Sequence, residues 1–252
     1  MKIIYYPDHR AVYYAQDKNA STTLVAALEK AVSCRPLIYR DHTDLAPSPE
    51  AVRDRIFASP IDFQFTIVRN TWDRLASLYH MLLLQPQKEW KGKPKGELHP
   101  WFRRHQEAIL DAFSSERPFY EFIRFVCGQS DREVDSHWRP QHWALPLAEQ
   151  NFFLGRMESL DRDYACVLDR MGLEQRPLTY SSNRTSHIRG HYANDYDPET
   201  IRTVARRYQD EIRLFAFTFR ALGEHRGSSG FPEWTLDELL SIENRTATAG
   251  LE

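Results

Sequence analysis

Ala11-Val12-Tyr13-Tyr14-Ala15-Gln16-Asp17-Lys18-Asn19-Ala20-Ser21-Thr22-Thr23-Leu24 sets the architecture of this chain. Its first six residues read as a β-strand. A polar turn follows, and then Leu24, Ala27, Leu28, Ala31 and Val32 recur at helical spacing. A strand that feeds a helix through a short turn is the opening unit of a parallel sheet covered by helices. The pattern repeats downstream. Leu37–Arg40 reads as a short strand before a helix over Pro49–Phe57. Phe63–Val68 reads as a buried strand before a helix marked by Trp72, Leu75, Tyr79 and Leu82. Asn151–Leu154 reads as a late strand, followed by a helix that carries Leu160, Tyr164, Val167, Leu168 and Met171 and stops at Gly172. Asp197-Pro198-Glu199 supplies an N-cap and a first-turn proline for a last long helix with the stripe Ile201, Val204, Ala205, Tyr208, Ile212 and Phe215. The expected fold is α/β, a central parallel sheet flanked by helices.

The turn after the first strand is a candidate anion site. A helix N-terminus presents backbone N–H groups and the positive end of the helix dipole. Here it is preceded by one cation, Lys18, and opened by three hydroxyls, Ser21, Thr22 and Thr23. The first glycine of the chain is Gly92, so neither GxxxxGK[ST] nor GxGxxG is present at this turn. An ordinary ATPase or dinucleotide dehydrogenase is therefore disfavoured. The plainer alternative is that Ser21 and Thr22 cap the helix and Lys18 is solvated.

A second segment bears on that choice. Val68-Arg69-Asn70-Thr71-Trp72-Asp73-Arg74-Leu75-Ala76-Ser77-Leu78-Tyr79 ends a buried strand with Arg69 and begins a helix. At about 100° per residue, Ser77 falls nearly opposite the apolar face, beside Arg74 and Met81. Arg69 at the carboxyl edge of the sheet and Ser77 on the helix are suited to hold a phosphate, through a guanidinium fork and a hydroxyl. Open parallel sheets bind ligands at that edge. A structural salt bridge is the alternative for Arg69.

Together these segments resemble the two phosphate-binding motifs of sulfotransferases that use 3′-phosphoadenosine 5′-phosphosulfate (PAPS). The nearer likeness is to the carbohydrate sulfotransferase branch that includes the chondroitin-type enzymes. Lys18 and Thr22 match the first motif, with Asp17 where relatives have proline. Val68, Arg69, Arg74, Leu75, Ser77 and Tyr79 match the second, with Thr71 where proline is usual. Asp135-Ser136-His137-Trp138-Arg139-Pro140-Gln141 resembles a His-Trp-x-Pro segment of the same branch, and Gly155–Leu160 and Tyr208–Phe217 resemble its closing elements. The likeness runs over about residues 11–219 and implies a P-loop NTPase-like sulfotransferase fold in a domain over 1–222. Residues 223–252 then form a linker, a short helix near Leu236–Ser241 and a flexible end.

The resemblance also implies roles. Lys18, Asn19, Ala20, Ser21, Thr22 and Thr23 would grip the 5′-phosphosulfate, and Arg69 with Ser77 the 3′-phosphate. Arg184 and Arg189, in a late polar loop, would add contacts. Adenosine 3′,5′-bisphosphate would be the product, and no metal is called for. The transfer is in-line, with Lys18 beside the leaving oxygen. An acceptor hydroxyl needs a base, most often histidine. His42, in Arg40-Asp41-His42-Thr43-Asp44, is the first candidate and His137 the second. Two other readings stay open: a nucleotide-dependent kinase with a degenerate phosphate loop, and a non-catalytic nucleotide-binding protein.

Composition bounds the partners. The 252 residues include 33 Lys plus Arg against 35 Asp plus Glu, a formal net charge of -2. That balance argues against nucleic-acid coating while permitting a local basic pocket. Cys34, Cys127 and Cys166 are far apart and form no CxxC, so a disulfide framework or zinc site is not expected. No run approaches the ~20 apolar residues of a membrane span, and the first residues make a poor signal peptide, so a cytoplasmic location is expected. The segment Gln85–Gln106 reads as a long inserted loop. Its Lys88, Lys91, Lys93, Lys95, Arg103 and Arg104 beside Trp90 and Trp101 would suit an anionic sugar, or equally a solvated basic loop. The expected acceptor is a carbohydrate or a similar hydroxylated metabolite.

Overall fold

A computed structural model describes residues 1–40, 50–84, 100–130, 134–179, 191–220 and 233–241. The chain packs as two compact units, one from residues 1–69 with 141–184, the other from 70–140 with 185–252.

The first unit is a five-stranded sheet. Its strands are β1 (Lys2–Tyr6), β2 (Ala11–Ala15), β3 (Leu37–Arg40), β4 (Phe63–Val68) and β5 (Phe152–Arg156), in the order β3-β1-β2-β4-β5. β2, β4 and β5 run parallel, whereas β1 is antiparallel to both of its neighbours. The sheet is therefore mixed, with a parallel core. β1 was not expected. Its Ile3-Ile4-Tyr5-Tyr6 run lacks the alternation that marks a half-buried strand, because four of its five residues are buried. A 3-10 turn over Pro7–His9, with Arg10 left-handed at φ 46°, folds β1 back onto β2.

Residues two apart share a sheet face. Ile4 and Tyr6, Ala11, Tyr13 and Ala15, and Phe63, Phe65 and Ile67 thereby form one apolar surface. On it pack Leu24 and Leu28 of α1 (Ser21–Ala31) and Leu160, Tyr164, Val167 and Leu168 of α6 (Leu160–Arg170). Tyr13 stacks flat on Phe65 with ring centroids 4.7 Å apart. As expected, α6 stops at Gly172, which is left-handed at φ 65°. The N–H of Leu173 closes onto the Leu168 carbonyl at 2.8 Å. The helix α2 (Glu50–Phe57) follows β3 in sequence.

The second unit is mostly helical: α3 (Thr71–Leu84), α4 (Gln106–Phe113), α5 (Pro118–Gly128), α7 (Pro198–Arg207) and α8 (Gln209–Phe215), with a two-residue ladder of β6 (Phe219–Arg220) and β7 (Glu233–Trp234). Residues 236–241 are helical. The helix expected at Asp197 begins with a full capping box, the Asp197 carboxylate accepting from the Thr200 N–H at 2.8 Å. It is not one long helix. Tyr208, at φ −112° and ψ 22°, separates α7 from α8, and its hydroxyl donates to the Trp138 carbonyl. The stripe from Ile201 to Phe215 is nevertheless buried throughout, so the break keeps one apolar face inward.

The far end of Gln85–Gln106 also departs from expectation. Residues 85–99 lie outside the described ones. Pro100–His105 forms a 3-10 turn and Gln106 starts α4, with Phe102, Ile109 and Ala112 buried. α5 adds to the elements expected from the sequence, and its Phe119, Phe122, Ile123 and Val126 recur at helical spacing and are all buried. Among the described residues no helix is long and apolar enough to cross a membrane.

One glycine is fixed by a close approach. A Cβ on Gly155 of β5 would collide with Ile67 Cδ1 and lie 3.2 Å from Phe153 Cε1 and 3.3 Å from Asp163 Cβ. This contact seats the start of α6 on the strand, where the Asp163 carboxylate accepts from the Arg156 N–H and the Ser159 hydroxyl, both at 2.7 Å. Gly155→Ala is expected to cost about 1–3 kcal/mol by overpacking. Urea unfolding measures this as a lowered midpoint, and an unchanged midpoint would mean that Ile67 moves aside without cost.

Candidate active site

Parallel pairing places Tyr14 opposite Thr66, so β2 and β4 end side by side at the carboxyl edge of the sheet. The chain leaves β2 through the turn 17–20 and leaves β4 at Arg69. Within the turn, Lys18 (φ 69°) and Ala20 (φ 56°) are both left-handed without being glycine. Each such residue costs about 1–2 kcal/mol, and strain of this kind is kept where surrounding structure enforces it. Alternation of left- and right-handed residues is the backbone pattern from which anion nests are built. The loop therefore adopts, without glycine, the conformation that glycine ordinarily supplies.

The N-cap of α1 is Ala20, and no side chain caps it. Ser21 and Thr22 thus do not serve as its N-cap residue. They stand within the first turn, Ser21 half-buried and Thr22 exposed, while Thr23 is buried. Helix-start N–H groups have no intrahelical acceptors, and here they lie next to the cation Lys18.

Asn19 is fully buried between the two left-handed residues. Its Nδ2 donates to the Ile67 carbonyl at 2.9 Å and to Gln141 Oε1 at 2.7 Å. The side chain therefore anchors the loop to the end of β4. Its Oδ1 is buried without a hydrogen-bond partner among the described residues. Arg69, largely buried, donates from Nη1 to the Lys18 carbonyl at 3.1 Å. Two stretches 51 residues apart are thereby joined through the same guanidinium that sequence reasoning singled out. Gln141 went unnoticed as a site residue. It ends the recognisable His-Trp segment, but no spacing signals that its side chain reaches Arg69.

In the second unit, Asn70 caps α3, its Oδ1 accepting from the Trp72 N–H at 3.1 Å. Thr71 opens the helix, and its hydroxyl donates to the buried Glu211 carboxylate at 2.7 Å. Ser77 lies on α3, but the side away from the apolar stripe is not a solvent face: Arg74 and Ser77 are buried as completely as Trp72 and Leu75. Arg74 donates to the Arg139 carbonyl at 2.8 Å and the Ser136 carbonyl at 3.2 Å, tying α3 to the His-Trp segment.

His137 is buried, its ring 4.7 Å from that of Phe102 and its Nδ1 2.7 Å from Asp135 Oδ1. Burial alone would raise the Asp135 carboxyl. The His137 side chain, its charge and its backbone N–H outweigh that and hold the carboxyl below the usual range. The pair is an oriented imidazole. His42, Arg184 and Arg189 lie outside the described residues. Among the described residues, no group of three His, Cys, Asp or Glu side chains is placed to hold a metal ion.

Ala20→Gly relieves a left-handed alanine and installs a better N-cap, at the loss of one partly buried methyl. A gain of about 1 kcal/mol in urea unfolding is expected. A lower midpoint would show that the loop carries no such strain.

Two comparisons with known proteins bear on the family of the chain. The model of the "Sulfotransferase family" matches residues 2–218. The chain is 26% identical to carbohydrate sulfotransferase 14 of Danio rerio over 128 residues, half of this chain and 34% of that protein, so the match spans about a third of the relative's length. The chain belongs to the sulfotransferase family.

Proposed function

We propose that this chain transfers a sulfuryl group from PAPS to a hydroxyl of a carbohydrate or a similar small acceptor. The observation that carries the reading is the bond from Arg69 to the Lys18 carbonyl at the carboxyl edge of β2 and β4. It joins a cation to a strained, uncapped helix start. Such a site suits an anion with more than one charged group, because backbone N–H groups, an ammonium and a guanidinium each bind phosphate oxygens.

The loop Lys18–Thr23 would hold the 5′-phosphosulfate. Lys18 would stabilise the negative charge that grows on the bridging oxygen as the sulfur–oxygen bond breaks. Arg69 would hold the 3′-phosphate, and Ser77 is assigned to that phosphate by its place in the second motif. Arg184 and Arg189 would add contacts from their loop. The acceptor oxygen loses its proton to a base as the new sulfur–oxygen bond forms, and adenosine 3′,5′-bisphosphate leaves.

His42 is the proposed base. Support comes from sheet topology. Lys2 of β1 pairs with both Ala15 of β2 and Arg40 of β3, so β3 ends at the same edge as β2, about 10 Å away at two strand spacings. His42 follows Arg40 by two residues. His137, oriented by Asp135, is the second candidate.

Transfer of labelled sulfate from PAPS to a panel of glycans and hydroxylated metabolites tests the function. Sulfated product is expected, with bisphosphate binding that survives EDTA. Magnesium-dependent ATP binding without any transfer would instead support a kinase. Arg69→Ala is expected to raise the bisphosphate dissociation constant by about 10- to 100-fold, the loss of a charge-assisted contact. Unchanged affinity in the folded variant would remove Arg69 from the site. His42→Ala is expected to lower turnover by about 100-fold or more with bisphosphate affinity kept. Full activity in this variant, with loss in His137→Ala, would transfer the role to His137.

A further inference from the structure

Past Val68 the ladder of β4 with β5 ends, and the backbone of Arg69 must find partners elsewhere. The Gln141 side chain supplies both. Its Oε1 accepts from the Arg69 N–H at 3.0 Å, and its Nε2 donates to the Arg69 carbonyl at 2.9 Å. One side-chain amide thus imitates a paired strand residue and extends the sheet by a step. The pairing also sets the orientation of the amide, since Arg69 offers one donor and one acceptor and only one placement of oxygen and nitrogen satisfies both.

That orientation has a consequence for the anion loop. With Oε1 fixed, Asn19 must present Nδ2 to it, and the same nitrogen reaches the Ile67 carbonyl. The main-chain carbonyl of Gln141 in turn accepts from Gln16 Nε2 at 3.1 Å. Gln16 precedes the turn, Asn19 sits between its two left-handed residues, and Arg69 donates to its Lys18 carbonyl. Every one of these bonds is buried or partly buried, and Gln141 is 1% exposed. A single glutamine therefore meets the strand end before the loop, the residue within the loop, and the arginine that reaches across to it.

We infer that Gln141 is a positioning residue for the donor site: it holds the Lys18–Ala20 loop and the Arg69 backbone in one register. The inference rests on the proposed donor reading. Gln141 is not placed against substrate. Its effect passes through Asn19 and Arg69, and a small displacement of such groups is enough to cost a large factor in binding.

Gln141→Met keeps the length of the side chain and removes all three amide bonds. Gln141→Glu keeps the oxygen that accepts from Arg69 and Asn19 but loses the donor to the Arg69 carbonyl. In folded Gln141→Met, calorimetric titration with adenosine 3′,5′-bisphosphate is expected to show affinity reduced by about 10- to 100-fold. Gln141→Glu should fall between that variant and the parent, and serves alone if the methionine variant does not fold. Asn19→Ala combined with either substitution should bind no worse than the weaker single variant, because both break one link. Parent-like affinity in the folded Gln141 variants, or losses that simply add, overturns the inference. Hydrogen exchange at the Arg69 amide of the ligand-free protein separates this from the donor reading. Faster exchange in Gln141→Met is expected, and unchanged exchange overturns the positioning role. Faster exchange combined with a parent protein that ignores the bisphosphate overturns the donor reading and leaves the positioning of Arg69 standing.

Discussion

Parallel pairing of β2 with β4 is the constraint from which the candidate site follows. Because the two strands are hydrogen-bonded neighbours running the same way, the residues after each are delivered to one edge of the sheet. Lys18 and Arg69 are distant in sequence and meet there, with the Arg69 guanidinium on the Lys18 carbonyl. Antiparallel pairing would send the two exits to opposite ends. The same edge thus receives both exits, while Tyr13, Phe65 and Ile67 form the apolar surface on which α1 and α6 pack.

The loop itself shows how a chain without an early glycine meets the same demand. Lys18 and Ala20 take left-handed backbone at a cost, and the cost is balanced by bonds from elsewhere: Asn19 to β4 and to Gln141, and Arg69 to Lys18. A buried amide left unpaired is expensive, so these contacts resist rearrangement. The result is an uncapped helix start held in place next to Lys18 and Arg69, which is the basis of the proposed anion site.

Much of this was legible from the residues. The strand–turn–helix periods, the Asp197 cap and the Gly172 stop follow from local rules that the structure obeys. Arg69 stands out because it follows the buried run Phe63–Val68 at the carboxyl edge, where open parallel sheets bind ligands. Other features depend on distant partners and left little local trace. β1 carries a run of apolar residues without alternation, because it is buried along nearly all its length. Ser77 follows the spacing of an exposed helical side, yet it is buried by parts of the chain that the local pattern does not reveal. Gln141 bonds to a backbone 72 residues away, and nothing in its neighbourhood announces an amide that completes a strand. Thr71 finds the acceptor for its hydroxyl 140 residues later, at Glu211.

The account stands on one claim, that the strained turn after β2 and the arginine after β4 serve one anionic donor. A crystal structure of the protein with adenosine 3′,5′-bisphosphate tests it most directly. The account places the 5′-phosphate on the backbone N–H groups at Ala20–Thr22, with Lys18 beside it and the Arg69 guanidinium on the 3′-phosphate. A nucleotide bound away from that loop, with Lys18 and Arg69 both remote from its phosphates, would contradict it.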